Sequence, residues 1–341
     1  MYRCFELALQ GAGNVAPNPM VGAVLVHDDT IIGEGWHRQY GQAHAEVNCI
    51  NSVADGNTEQ VANSTLYVSL EPCAHYGKTP PCADLIIGKK IPRVVIGCKD
   101  SFEAVDGKGI AKLEAAGVQV ITGVLEKEAQ ELNKRFFTFY TKQRPYILLK
   151  WAQTADKKIA GNKEERLYIS NDITNRLVHR WRTEEAAILV GTNTAITDNP
   201  SLTSRLVPGN NPLRLVIDKK LQLPASHRIF DAGAKTIVYN FSKENVKDHI
   251  QWVKLEEAEN LLPQVLEHLH KNKIQSVMAE GGAILLQSFI TAGLWDEARV
   301  ITNNSMYAGA GIKAPVLENA ALYKKEQSGT DSIEYFKNSL L

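Results

Sequence analysis

Short apolar runs of strand length alternate with stretches of helical periodicity along the chain, in two successive series. "MVGAVLVHD" and "DTIIGEGWH" place apolar and β-branched positions either side of an Asp-containing break, which predicts two strands joined by a tight turn. "AHAEVNCINSVA" has helical spacing, "STLYVSLEPC" is a strand pattern, and "PCADLIIGKK" opens a second helix with Pro81 near its start. "RVVIGCKD" (strand), "GKGIAKLEAAG" (helix) and "VQVITGV" (strand) complete the first series, with "MYRCFELALQGAG" at its front as the turns of an amphipathic helix. A charged, aromatic segment, 130–144, ends at Pro145 and is the predicted boundary, giving domains 1–144 and 145–341. Beyond it "YILLKWAQT", "AAILVGTN", "LRLVID", "TIVYNF", "SVMAEGG" and "EARVITN" predict strands. "NDITNRLVHRWRTE" and "AENLLPQVLEHLHKN" predict helices between them. Both halves are therefore expected to be α/β. No internal repeat, low-complexity tract or heptad pattern interrupts them.

Composition narrows what such a chain does. At 341 residues each of two domains has length enough for its own core. Lys plus Arg and Asp plus Glu both number 38, so no net field draws a polyanion, and the usual electrostatic footprint of nucleic-acid binding is missing. No apolar run approaches membrane-spanning length, and the first residues are too short a stretch for a secretory signal. The expected compartment is the cytoplasm, with no membrane partner. Five cysteines in a chain this long do not make a disulfide framework. In a reducing compartment a close cysteine pair reads better as a metal or catalytic site.

That reading applies to "EPCAHYGKTPPC", where Cys73 and Cys82 bound a proline-stiffened loop. Upstream, "AHAEV" supplies His44 and Glu46. His44, Cys73 and Cys82 form the donor set of a catalytic zinc, three soft or borderline ligands with the fourth position left for water. Zinc lowers the pKa of such a water towards about 7. Glu46, two residues beyond the histidine, reaches that water without being a ligand and passes its proton to a leaving amine. These are the requirements of a zinc deaminase acting on an aromatic amidine, although the usual signature has two residues between its cysteines and this chain has eight. Pro80 and Pro81 lower the entropy of closing the longer loop. His75 is a rival fourth ligand; it would close the site into a structural one and leave Glu46 without a task.

"PNPMVGAVLV", "GEGWH", "HAEV", "TLYVSLEPCAHYGKTPPCADLII" and "GKGI" resemble the deaminase domain of the RibD family, the bifunctional enzymes of riboflavin biosynthesis. The resemblance implies a cytidine-deaminase-like three-layer α/β fold and Zn2+. Its implied substrate is 2,5-diamino-6-ribosylamino-4(3H)-pyrimidinone 5′-phosphate, a pyrimidine ribonucleotide that loses its 2-amino group as ammonia. By the same resemblance Asn18 hydrogen-bonds the base, the alternative being a turn residue between two prolines. His75 and Lys78 are either contacts to the phosphate or ring edge, or solvated loop residues.

The second half lacks a G-x-G-x-x-G fingerprint. "MAEGGAILLQSFI" instead carries a strand ending in Glu280, two glycines, and a helix whose N-terminus suits a phosphate; a bare tight turn is the other reading. "GTNTAITDNPSLTSR" is dense in hydrogen-bonding side chains, as a polar surface loop or as a binding loop at a strand end. "RPYILLKWAQTAD", "YISN", "HRWRTEEAAILVGTNTAITDNPSLTSR" and "AEGG" resemble the RibD reductase domain, as far as about residue 315. That resemblance implies a dihydrofolate-reductase-like α/β fold, NADPH, and reduction of the ribosyl C1′ to the ribityl product. It assigns Ala152, Tyr168, Thr194, Asp198 and Gly282 to the cofactor and Arg182, Leu202, Arg205 and Glu280 to the substrate, the arginines suiting a 5′-phosphate. Lys150 lies in the family's "LK-x-A" signature, and Lys219 is either a 2′-phosphate contact or a surface lysine. Self-association through the reductase domain is also implied. The chain departs from the family pattern with Thr154 for Ser, Lys157 for Gly, Tyr168 for Trp and Asn199 for Asp.

Overall fold

The computed structural model describes residues 1–77, 80–101, 105–161 and 167–341, in two compact units, Met1–Gln143 and Arg144–Leu341. The first unit runs α1 (Tyr2–Leu9), β1 (Gly22–His27), β2 (Thr30–Trp36), α2 (Ala45–Asn51), β3 (Thr65–Leu70) and α3 (Cys82–Gly88). It continues with β4 (Arg93–Cys98), α4 (Lys108–Ala115), β5 (Gln119–Ile121), α5 (Glu126–Leu132) and α6 (Lys134–Lys142). The sheet order is β2-β1-β3-β4-β5, antiparallel as far as β3 and parallel beyond it. The β1–β2 turn is the tight one expected: Asp28 and Asp29 both have positive φ, 44° and 60°, which matches the twist of a two-residue hairpin. Apolar residues from β1, β3, β4, α2, α3 and α4 form one buried cluster, including Leu25, Leu66, Ile86, Ile96 and Leu113. The segment 130–144, at whose end the two units divide, carries the end of α5 and all of α6, with Phe136 and Phe139 buried.

The second unit opens at Arg144, whose guanidinium makes a buried bidentate pair with Asp296 at 2.6 and 2.9 Å. It runs β6 (Tyr146–Thr154), β7 (Lys158–Ala160), α7 (Asp172–Glu184), β8 (Ala187–Gly191), α8 (Thr192–Asp198), β9 (Leu213–Ile217) and β10 (Thr236–Asn240). Then come β11 (Asn245–Lys247), β12 (Ile250–Lys254), α9 (Leu261–Lys271), β13 (Ser276–Glu280), α10 (Ala283–Thr291) and β14 (Glu297–Asn303). β15 (Ile312–Lys313), β16 (Ala320–Ser328) and β17 (Asp331–Asn338) close the chain. Ten strands form one sheet in the order β11-β12-β10-β9-β8-β13-β6-β14-β17-β16. β12 to β14 in that order are parallel, and antiparallel strands border both ends. Buried clusters on both faces explain why "YILLKW" is an unbroken apolar run apart from Lys150: β6 is central and covered on each side. Strand order reverses at β8–β13, the kind of point where open α/β sheets bind ligands beyond the strands' carboxyl ends.

Candidate active sites

In the first unit three chain segments converge. His44 is the N-cap of α2, Cys73 follows β3, and Cys82 is the first residue of α3. His44 Nδ1 lies 3.6 Å from Cys73 Sγ and 3.3 Å from Cys82 Sγ, and the three donor atoms all fall within 4.8 Å of one another. The backbone N–H of Cys82 donates to Cys73 Sγ at 3.3 Å, a bond that favours thiolate. A hydrogen bond from the Cys82 thiol, opposed by burial and aided by His44, holds the Cys73 thiol near 4, while Cys82 is driven up. Two sulfurs and an imidazole so close, one already anionic, fit a soft divalent cation. His75 is exposed at the rim of the adjoining cavity and stands outside this group; Lys78 lies outside the described residues.

Glu46 sits in the first turn of α2, 3 % exposed, on the wall of a cavity of about 300 Å³. Burial raises its pKa, His44 offsets part of this and Cys73 adds to it. Asn18 and His37 share that cavity. His37 Nδ1 lies 3.1 Å from the carbonyl of Ala43, which only accepts, so the proton is on Nδ1 and Nε2 accepts from the Asn18 amide at 3.2 Å. Burial lowers the His37 pKa and keeps that arrangement neutral. The Asn18 amide is thereby turned so that its oxygen remains for a ligand.

In the second unit every residue assigned to a site by resemblance lines one cavity of about 2000 Å³. Parallel pairing sets Lys150 on β6 beside Glu280 on β13. Glu280 accepts from Lys150 Nζ at 2.9 Å and from Arg182 through Nε at 3.0 Å and Nη2 at 2.9 Å. Burial alone would raise this carboxyl; Arg182 and Lys150 overcome it and hold it near 2. Arg182 also donates from Nη1 to Thr203 O, so its fork is engaged within the protein. Gly281 and Gly282 have φ of 93° and 77°, and a Cβ on either would stand 3.0 Å from Thr194. That cradle, at the start of α10, leaves room for a dinucleotide's phosphates. Tyr168 is 72 % exposed and offers a ring face for stacking. Ala152, Asp198, Leu202, Arg205 and Lys219 complete the assigned set.

Residues 1–98 match the zinc-binding region of cytidine and deoxycytidylate deaminases, and residues 145–316 match the RibD C-terminal domain. The RibD protein of Aquifex aeolicus is 38 % identical over 99 % of this chain and 97 % of its own. That of Bacillus amyloliquefaciens is 42 % identical over 87 % and 81 %. The crystal structure of a diaminohydroxyphosphoribosylaminopyrimidine deaminase/5-amino-6-(5-phosphoribosylamino)uracil reductase from Thermotoga maritima superposes with a TM-score of 0.91 at 36 % identity, covering 99 % of this chain and 97 % of that one. The chain belongs to the RibD family.

RibD membership makes the first unit a zinc-dependent deaminase of cytidine-deaminase-like fold. The second is an NADPH-dependent reductase of dihydrofolate-reductase-like fold, and the whole a bifunctional enzyme of riboflavin biosynthesis. The departures from the RibD pattern have local structure. Lys157 holds φ 56° where the family has glycine, at a cost of about 1 kcal/mol. Thr154 donates to Asp156 at 2.6 Å, and Asn199 occupies a left-handed C-cap after α8, a conformation asparagine tolerates. Sequence reasoning missed His37, although it ends the "GEGWH" motif, and Glu71 of "LEPC". The Glu71 carboxylate accepts from the N–H groups of Asp100, Gly107, Gly109 and Ile110 at 3.0–3.3 Å, tying the cavity wall and the start of α4 to the cysteine segment.

Proposed function

We propose that the chain deaminates 2,5-diamino-6-ribosylamino-4(3H)-pyrimidinone 5′-phosphate in residues 1–144 and reduces the ribosyl group of the product in residues 145–341. The observation that carries this reading is the convergence of His44, Cys73 and Cys82 beside a buried carboxylate, with the whole second set around one separate cavity. His44, Cys73 and Cys82 would hold the zinc, which when bound would supply an activated water as nucleophile. Asn18, its amide fixed by His37, accepts from the base and orients C2. Glu46 takes one proton from the attacking water to the neighbouring ring nitrogen as C2 becomes tetrahedral, then carries the remaining hydroxyl proton to the departing amine. The C2–N bond breaks, ammonia leaves, and C2 becomes a carbonyl. A carboxylate buried and raised in pKa suits both halves of that transfer.

In the second cavity Gly281, Gly282 and Thr194 seat the cofactor's phosphates, and Tyr168 stacks on one of its rings. NADPH, when bound there, would supply the hydride for C1′ of the ring-opened imine, whose nitrogen takes a proton from solvent. Lys150, held by Glu280, positions and polarises the reacting sugar, and Arg205 faces the 5′-phosphate. Lys219 lines the same cavity and is the contact for the 2′-phosphate that distinguishes NADPH from NADH. Among the described residues no helix is long and apolar enough to cross a membrane. By the resemblance to its family we place the enzyme in the cytoplasm, self-associating through the reductase unit.

Ammonia release is measured from the diaminopyrimidine ribonucleotide and from single-stranded DNA with equal enzyme. The reading requires release from the nucleotide, followed by NADPH oxidation, and none from DNA. Release from DNA alone would overturn it.

A further inference from the structure

The second cavity has a wall to which resemblance assigns only Arg182, and it is built by one face of α7. Arg176, His179 and Arg182 follow one another at i, i+3 and i+6 and all border the cavity. The Arg182 fork is already bonded to Glu280 and Thr203, so the charge it brings is largely balanced. His179 is different. It is only 6 % exposed, and its Nδ1 accepts the backbone N–H of Arg205 at 2.9 Å. A nitrogen that accepts from an amide carries no proton, so the proton resides on Nε2. Among the described residues Nε2 has no protein partner, yet it is not sealed from the cavity. Burial, with Arg182 and Arg205 nearby, lowers this imidazole to about 4, so it is a neutral donor in neutral solution. Arg176, one turn earlier, is exposed at the rim and has no partner among the described residues. One buried N–H donor thus belongs to the imidazole that holds the backbone of Arg205, and one open guanidinium borders the same cavity a turn earlier on α7; the Arg205 guanidinium is braced on Thr203 Oγ1 at 3.1 Å.

We propose that His179 Nε2–H and the Arg176 guanidinium complete, with Arg205, the subsite for the substrate's 5′-phosphate, while Arg182 acts through Glu280 as a positioning residue. This rests on the reductase reading above. A phosphate needs several donors converging on its oxygens, and Arg205 alone does not provide them; α7 presents the others from a rigid element. His179 also fixes Arg205, so the two functions have to be separated. In His179→Asn the side-chain oxygen replaces Nδ1 as acceptor for Arg205 N–H, but the Nε2 donor is lost. Arg176→Gln removes an exposed charge with little risk to folding.

NADPH oxidation is followed with the deaminated ribosylaminopyrimidinedione 5′-phosphate and with the same nucleoside lacking phosphate. Retained NADPH oxidation with the nucleoside serves as the check that the second unit of each variant is folded. A charge-assisted hydrogen bond is worth about 10-fold or more in KM. Each variant is expected to raise KM for the phosphorylated substrate by that factor, with a smaller change in kcat and no change in KM for the nucleoside. An unchanged KM for the phosphorylated substrate, or an equal rise for both substrates, overturns the assignment. If wild type oxidises NADPH with neither substrate, the reductase reading itself falls and the subsite with it.

Discussion

Replacing Glu280 by glutamine tests the electrostatics of the second site most sharply. The carboxyl is held near 2 instead of 4.5 by Arg182 and Lys150 against the opposing effect of burial. At 1.36 kcal/mol per pH unit that difference corresponds to roughly 3 kcal/mol. Its side chain is 14 % exposed, so solvent screening removes little of it. Removing one partner of a buried ion pair costs a similar amount, about 3–5 kcal/mol. Glu280→Gln leaves two cations side by side and is expected to lower the stability of the second unit by about 3 kcal/mol at pH 7. The pH dependence has a definite sign. A carboxyl depressed in the folded state contributes fully above its unfolded value near 4.5, and the contribution disappears as pH falls towards 2. Urea unfolding followed by tryptophan fluorescence reports this unit, because Trp151, Trp181, Trp252 and Trp295 lie in it and only Trp36 does not. The wild-type advantage should be constant from pH 8 to about 5 and shrink below about 4. Equal stability at pH 7, or a difference that persists undiminished at pH 2–3, would refute the reasoning.

Three further outcomes are expected. Cys82→Ser should lose or greatly weaken zinc binding measured by metal analysis after dialysis, and full retention would remove Cys82 from the ligand set. A Cβ on Gly109 would stand 1.9 Å from Pro72 O, whereas one on Gly88 meets nothing. Gly109→Ala should therefore displace the Cys73 segment and weaken zinc, with Gly88→Ala harmless; equal zinc affinity in both variants would count against it. Gly282→Ala adds a Cβ at φ 77° against Thr194 and should raise KM for NADPH about tenfold while ammonia release is unchanged.

Much of this was legible because buried strands and chemical spacing leave strong marks. "YILLKWAQT" and "SVMAEGG" are central strands, and the His-x-Glu, Pro-Cys and second Cys segments converge as their spacing implied. The sequence reading missed β16 and β17, since β16 is an exposed edge strand whose "YKKEQS" lacks alternation and gains its order from pairing with β17. It placed the boundary in "LNKRFFTFYTKQRP" without seeing that α6 fills it, because charge and aromatics alternate there and mask the buried side formed by Phe136 and Phe139. "GTNTAITDNP" looked like a loop because β-branched and polar residues weaken helix propensity, yet Thr192–Asp198 forms a short helix. Glu71 and His37 could not be found by spacing, because their partners lie far away in sequence, up to Ile110 and back to Asn18.

The account's central claim is that two chemically independent sites occupy the two units. It is tested most directly by assaying one variant, Glu46→Gln, for zinc content, ammonia release and NADPH oxidation. The account predicts full zinc, deamination reduced by about 10²–10⁴-fold, and an unaltered rate of NADPH oxidation when the deaminated pyrimidinedione is supplied. Loss of both reactions in a folded, zinc-loaded enzyme would contradict it.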